Sequence, residues 1–533
     1  MDKQTLEKNW HTLSGDVISG MVDWRVQHPK ATLREIEAAL DERLECLRAK
    51  MLEEAALFSQ ARDWGEAGGK IPRCPVCGTE LERSTEGVRT LQTQGDQVVQ
   101  LTRRYGECPQ CGSGIFPLDE ELGLLPGHLT PHAHECLVRF GTWMPFEKAV
   151  AELQFSLKVT VSEPSVRRYT QAAGAAYEQW QTQEVERLER ETPLAPLGPA
   201  KLYLSADGAF VPVVGGEWAE VKTMVIGEVG QPVQEKDEWV VHTHNLSYFS
   251  RLAEAETFTR LALVETHRRG VENAAQVGAV QDGAEWLQGF VDWHRPNAVR
   301  ILDFSHAGGY VAKIGQATFG ADTPELAAWL TSHLHDLKHE GPDNVLAELQ
   351  EMVQKHPKAN ELELPKTVAY LEKRTPQMQY PTFQTQGWPI GSGATESSHK
   401  SVVEARLKGA GMHWARSHIN PMLALRNIAC NDRWAEAWGQ ITTILRQQQR
   451  EQAQTRRRQR QKARDAARLE QPVELERVPA AVVSQPPQAT ITPTAPSQTA
   501  EPKTSRPAPN HPWRRSPIGH AQYWPASTFT SKN

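Results

Sequence analysis

Lys201 to Val214 reads KLYLSADGAFVPVV, and the fold turns on how this stretch is read. Leu202 and Leu204 before the Asp-Gly step, with Phe210 and Val211 after it, mark extended chain on both flanks. Taken alone, Asp207-Gly208 is a hairpin-turn signal. The elements that follow favour a strand that carries a carboxylate. Ala219 to Glu228 (AEVKTMVIGE) and Trp239 to Leu246 (WVVHTHNL) are rich in Val, Thr and other β-formers and complete an antiparallel meander. A helical stretch from Ala253 to Arg269 leads to a buried-strand pattern, Ala274 to Val280, ending at Gln281-Asp282-Gly283. Trp286, Leu287, Phe290 and Val291 then recur with helical period, and Ala298 to Phe304 (AVRILDF) is a last strand.

The order is β-β-β-α-β-α-β. It is the order of the ribonuclease H fold, a mixed sheet whose first and fourth strands are neighbours and carry acidic residues at adjacent points.

At 533 residues the chain should hold several domains, and 39% hydrophobic content suffices for real cores. A net charge of −6 gives no global nucleic-acid signature, so any DNA-binding argument is local. No apolar run approaches the roughly 18 residues of a membrane span, and the opening MDKQTLEKNW carries no secretory pattern. The cytoplasm is the default, with no membrane partner. Of seven cysteines, four form two Cys-x-x-Cys pairs, which in a reducing compartment point to metal rather than disulfides.

Residues 1–65 read as helical. Within ATLREIEAALDERLECLRAKMLEEAA, Leu33, Ile36, Leu40, Leu44 and Leu47 form one stripe, the mark of a packing or pairing helix or of a first DNA-contacting unit. Residues 66–130 hold Cys74 and Cys77 in CPVCG and Cys108 and Cys111 in CPQCG. Each pair can offer two thiolates to one tetrahedral Zn²⁺, and the Gly after each second Cys permits the tight turn. With strands expected at Val88 to Gln94 and Val98 to Tyr105, the region reads as a zinc ribbon with structural zinc, and Arg103 and Arg104 could face phosphates. Residues 131–192 read as three helices. Ser162 is placed as an N-cap with Pro164 in the first turn, and Arg167, Arg168, Tyr169, Thr170 and Gln171 follow. This suits a helix-turn-helix-like DNA-binding domain, with an ordinary helical hairpin as the plainer alternative. TPLAPLGP, from Thr192 to Pro199, is the linker into the Asp207 strand.

After the fifth strand come Asp303 and His306, spaced Asp-x-x-His, and a mostly helical insertion at about 310–385 whose first core stripe is Leu326, Trp329, Leu330, Leu334 and Leu337. The most unusual stretch is Tyr380 to Trp414, YPTFQTQGWPIGSGATESSHKSVVEARLKGAGMHW. A helix from about Ala394 would carry Glu396, His399, Lys400, Glu404, Arg406 and Lys408, with Glu396, Lys400 and Glu404 on one face. A solvated, salt-bridged helix is the plain alternative. Over 436–470 a basic helix is expected: from Arg446 to Arg468, nine Lys or Arg stand against Glu451 and Asp465, a solvated face or a grip on the DNA backbone. The tail at 471–533, rich in Pro, Ser, Thr, Gln and Ala, reads as disordered.

The set Asp207 in LSADGAFVP, Asp282 in VQDGAEW, Asp303 and His306 in LDFSHA, and Glu396 in PIGSGATESSHKSVVEARLKGAGMHW resembles the DDE transposases of bacterial insertion sequences. It is most similar to the Kra group, which is related to the Mutator-like transposases, and the resemblance runs from the ATLREIEAALDERL helix to NHPWRR near the C-terminus. The resemblance implies a multidomain α/β protein with a ribonuclease H-like catalytic domain at 200–435. It assigns Asp207, Asp282 and Glu396 as the acids that hold Mg²⁺ or Mn²⁺, with Asp303 a rival for the second acid and His306 orienting a water or touching DNA. Lys400, Arg406 and Lys408 would neutralise phosphates. The implied partners are the double-stranded DNA of the element's terminal repeats and of its target, with the protein acting as a homodimer or larger assembly. Two other classes stay open: a DNA-binding regulator with an inactive catalytic fold, and a ribonuclease H-like nuclease that cuts without joining.

Overall fold

The computed structural model describes residues 2–64, 71–235 and 238–469. The expected disordered tail, with its Asn510 to Arg515 stretch, lies outside them.

Two helices, α1 (Lys3–Gln27) and α2 (Leu33–Leu57), form an antiparallel hairpin in which the Asn9 amide meets Glu54. Thr32 opens α2 with a reciprocal cap, its hydroxyl accepting from Glu35 N while the Glu35 carboxylate accepts from Thr32 N at 2.7 Å. The stripe expected to pack is mostly uncovered: Leu33, Leu40 and Leu44 are exposed, whereas Ala39 and Ala49 are the buried residues of this helix. A small antiparallel sheet follows, β1 (Glu82–Gln92), β2 (Val98–Glu107) and β3 (Gly114–Ile115), then α3 (Pro117–Glu121). Three helices come next as read, α4 (Pro131–Trp143), α5 (Phe146–Leu157) and α6 (Glu163–Glu191), with Ser162 at the N-cap of α6 and Pro164 in its first turn.

The main sheet is built from β4 (Lys201–Pro212), β5 (Trp218–Val229), β8 (Thr243–Arg251), β9 (Gln276–Gln281) and β10 (Val299–Leu302). A two-stranded ribbon, β6 (Val233–Glu235) with β7 (Glu238–Val240), stands apart from it. Helices α7 (Ala255–Arg268) and α8 (Glu285–His294) flank β9 in sequence. Strand order is β10-β9-β4-β5-β8, with β4, β5 and β8 antiparallel and β9 and β10 parallel to β4. The Asp207-Gly208 step is not a turn: β4 runs through it, pairing Asp207 with Thr223 and Gly208 with Lys222. The reversal falls later, at Gly215 and Gly216, both at positive φ. The third strand also departs from expectation. Residues 238–240 belong to the ribbon, and the sheet strand starts at Thr243, because the polar segment after it pairs with β5 and buries Ser247 and Ser250.

Strand alternation sends Leu202, Leu204 and Ala206 to one face, packed with Phe258 and Ala262 of α7 and Leu287 and Phe290 of α8. Tyr203 faces the other way, into a core with Val225, Val280 and Ile301. That second core is closed by α9 (Phe304–Phe319), α10 (Pro324–His339), α11 (Pro342–Lys355), α12 (Leu364–Lys373) and α13 (Tyr380–Thr385). The chain continues through α14 (Gly393–Ser398), a π-helical turn (His399–Glu404), α15 (Ala405–Leu407), α16 (Arg416–Cys430) and α17 (Trp434–Leu469). Helices α4 to α6 share one core with Leu425 and Ile428 of α16 and Ile441 and Ile444 of α17. Gly174 permits the α6 to α16 contact, because a Cβ there would lie 2.1 Å from the Pro421 carbonyl oxygen. Among the described residues, no helix is long and apolar enough to cross a membrane.

Candidate functional site

Two tight turns bring four thiols together. Cys74 N–H donates to the Thr79 carbonyl and Gly78 N–H to the Cys74 carbonyl; Cys108 and Gly112 repeat the pattern with Ser113 and Cys108. The Sγ atoms of Cys74, Cys77, Cys108 and Cys111 all lie within 4.8 Å of one another, with Cys74 to Cys111 at 3.5 Å and Cys77 to Cys108 at 3.4 Å. A tetrahedral zinc with Zn–S bonds of about 2.3 Å sets its sulfurs about 3.8 Å apart, so the cluster fits that ion with little adjustment. Cys74 and Cys108 are buried while Cys77 and Cys111 are exposed, so one side of the cluster faces solvent. Cys108 accepts the Cys111 N–H, yet burial and the neighbouring thiols push it up to about 11. A bound cation would reverse that.

The carboxylates are assembled differently. On β4, alternation from Tyr203 through Ser205 puts Asp207 on the face that meets α14, where Thr395 donates its hydroxyl to Ser205 Oγ at 2.6 Å. This bond seats the first turn of α14 beside Asp207. Asp282 follows the last residue of β9. Its Oδ1 accepts Ala284 N–H at 2.8 Å, and Gly283, at φ +82°, lets the Tyr370 hydroxyl and the Arg374 guanidinium close over the turn. Burial pushes the Asp207 carboxyl above the usual range; the Gly208 N–H and His399 oppose this, Asp282 adds to it, and His306 opposes it again. Asp207, Asp282, His306 and His399 therefore share one electrostatic neighbourhood. A carboxylate raised by burial and by a second carboxylate is one that a nearby cation would stabilise.

Glu396 is on the same helix end but points elsewhere: its side chain is 71% exposed and takes the Lys400 ammonium at 2.7 Å, which lowers its carboxyl. Among the described residues, the four cysteines are the one group of three or more His, Cys, Asp or Glu ligands gathered to metal-binding distance. Asp207, Asp282 and Glu396 are not so gathered. Asp303 is 6% exposed, and both its oxygens are engaged by backbone: Oδ1 accepts His306 N–H at 2.7 Å, capping α9, and Oδ2 accepts Ser392 N–H at 2.6 Å. It ties the end of β10 to the loop that precedes α14. His306 itself is exposed, with its ring 5.4 Å from that of Tyr310.

Sequence reading placed His399 on the helix of Glu396 but gave it no role. It is 8% exposed, its Nδ1 lies 3.9 Å from Asp207 Oδ2, and its Nε2 is buried without a hydrogen-bond partner. Its position three residues after Glu396, one helical turn on, was the signal available.

Of the basic residues, Arg167 and Arg168 are exposed near the start of α6, Lys400 pairs with Glu396, and Lys408 pairs with Glu404 at 2.7 Å. Arg406 must be corrected. It is 1% exposed, donates to the Gly141 carbonyl at 3.1 Å and lies between the rings of Phe146 and Trp414, where burial and Arg426 push it down to about 10. A phosphate cannot reach it. Arg103 and Arg104 of β2 are likewise engaged, with Asp119 and Asp63 respectively.

A mixed α/β protein with a mixed sheet and a four-cysteine cluster able to hold a metal ion is the class that these features define. The sequence model of the Uncharacterised protein family (UPF0236) matches residues 83–440, and the chain belongs to that family. The match takes in Asp207, Asp282, Asp303 and Glu396 but begins after Cys74 and Cys77 and ends inside α17. No curated protein matches the chain.

Proposed function

We propose that the protein is a DDE-type transposase that acts on double-stranded DNA, with a ribonuclease H-like core and a helix-turn-helix-like unit in α4 to α6. One observation carries the reading. The central strand of a sheet ordered β10-β9-β4-β5-β8 bears Asp207, and Asp282, whose charge Asp207 feels, directly follows the neighbouring parallel strand. That strand order and acid placement support a ribonuclease H-like core.

Mg²⁺ or Mn²⁺, when bound, would activate a water or a 3′-hydroxyl and stabilise the leaving oxygen of a phosphodiester. Asp207 and Asp282 would hold the ions. Both Asp303 oxygens already accept backbone N–H groups, so Asp303 is assigned to fixing the loop before α14 and ranks behind Asp282 as a ligand. Glu396 completes the set once its carboxylate leaves Lys400, and an arriving phosphate helps by giving that ammonium a new partner. His399, beneath Asp207 Oδ2, limits where that carboxylate can turn. Arg167 and Arg168 on α6 suit duplex contact.

The test is metal-dependent cleavage and joining of a labelled duplex taken from the DNA flanking the gene. Wild type should cut and join ends with Mg²⁺ or Mn²⁺, and Asp207→Asn should do neither while binding the duplex as well. The Glu396 to Lys400 pair favours a second reading, a DNA-binding regulator with a silent catalytic fold. Binding without cleavage in either metal would select it.

A further inference from the structure

The first part of α17 is a core helix, with Trp434, Ala437, Ile441, Ile444 and Leu445 buried. Beyond Leu445 the helix turns cationic and leans on the zinc ribbon. Arg446 and Arg450 both reach the Glu120 carboxylate of α3, at 2.8 and 2.7 Å, and Arg457 pairs with Glu107, the last residue of β2 before Cys108. The Arg457 guanidinium also lies 3.7 Å from where a Cβ on Gly112 would stand, beside the second knuckle. Gln454 and Arg458 border a cleft of 270 Å³ whose opposite wall includes Val76, Cys111 and Gly112. Each of these ion pairs is partly exposed and weak by itself, but three of them register one helix against one small metal-dependent module.

The cations from Arg456 to Arg464, Arg457 apart, do not turn inward. Arg456, Arg458, Arg460, Lys462 and Arg464 are exposed, and the acids of this run are already engaged, Glu451 by Gln447 and Asp465 by Gln461. Arg456, Arg460 and Arg464 recur every four residues, so they form one stripe that rises about 6 Å per step. Duplex DNA carries one charge per about 1.7 Å of its axis, a dense target for such a stripe. Its one apolar side chain from Arg456 to Arg464 is Ala463, too small to anchor a protein partner, which argues for a phosphate backbone.

We infer that the zinc ribbon and the cationic half of α17 form one unit, in which Glu107 and Glu120 clamp the helix so that the Arg456, Arg460 and Arg464 stripe grips the duplex DNA backbone without regard to sequence. The inference rests on the reading of DNA as the partner. It adds a second contact surface apart from α6 and makes ribbon integrity a condition of its use.

Two measurements on the full-length, zinc-loaded protein test it. The first is the salt dependence of binding to a flanking duplex and to an unrelated one. Arg456→Gln, Arg460→Gln and Arg464→Gln combined should weaken both equally and reduce the log–log salt slope by about 2 to 3. The substituted side chains are exposed, so folding is unaffected. The second is tryptic cleavage at Arg456 to Arg458, which Glu107→Gln with Glu120→Gln should accelerate several-fold with zinc still bound. An unchanged slope would overturn the grip while leaving the DNA reading standing, and unchanged cleavage would overturn the clamp. A wild type that binds no duplex at any salt, or prefers a single-stranded RNA of equal length, would sink the DNA reading and this inference together.

Discussion

Cys74, Cys77, Cys108 and Cys111 reach one point from two similar turns, one before β1 and one between β2 and β3. Asp207, Asp282 and Glu396 come instead from a central strand, a strand end and a helix, separated by 75 and 114 residues. The sulfur set is complete as it stands, four thiols for one tetrahedral ion, as a structural zinc would require. The oxygen set is left open: two acids share a field, and the third is held aside by Lys400. On the proposed reading, a site that admits DNA between its ligands would not be finished in advance, and the difference would be one between a metal that folds a module and a metal that waits for substrate.

The strongest way to break this contrast is to remove a sulfur. Cys108→Ser should abolish stoichiometric zinc and expose the ribbon to protease, the largest effect foreseen here, since structural zinc is worth about 10–16 kcal/mol in finger peptides at pH 7. Metal analysis with limited proteolysis checks it; a ribbon that stays protected without zinc would erase the distinction. Asp303→Ala comes next. It leaves two partly buried N–H groups, His306 and Ser392, without an acceptor, and should lower stability by about 2–4 kcal/mol in denaturant unfolding.

A finer comparison concerns arginines. Arg406→Met should cost about 1–3 kcal/mol of stability and leave the salt slope of DNA binding unchanged, because the guanidinium is a core group. Arg167→Gln with Arg168→Gln should do the reverse, keeping stability within about 0.5 kcal/mol while reducing that slope by up to about 2.

The smallest effect is a matter of sign. Asp207 titrates higher folded than unfolded, so the folded state holds its proton to higher pH, and stability is lost as pH rises from the unfolded value toward the folded one. In metal-free buffer Asp207→Asn should therefore raise Tm at pH 7, by on the order of a degree since the side chain is about half exposed, and should give no gain below about pH 3.

The order of strands was legible because Val, Ile and Leu alternate through β4, β5 and β9 and turn residues separate them. The third strand was misplaced by several residues. WVVHTH has the stronger β composition, but the ladder with β5 is made by a segment whose buried members include Ser247, Ser250 and Arg251, held partly by the Thr223 to Ser250 hydroxyl bond. Arg406 shows a related blind spot: charge is visible in a sequence, and the two rings and the carbonyl that bury it are not. The cysteines needed only their spacing. Asp303 and Asp282 each follow a strand and looked alike as letters. They differ in that backbone amides take both oxygens of Asp303, while Asp282 uses one oxygen in its own turn.

That last difference is the most direct test of the account, read by Mn²⁺ binding in electron paramagnetic resonance on wild type, Asp282→Asn and Asp303→Asn, each normalised to folded protein. The account predicts that wild type and Asp303→Asn bind Mn²⁺ and that Asp282→Asn loses it. Loss in Asp303→Asn with binding retained in Asp282→Asn would contradict it.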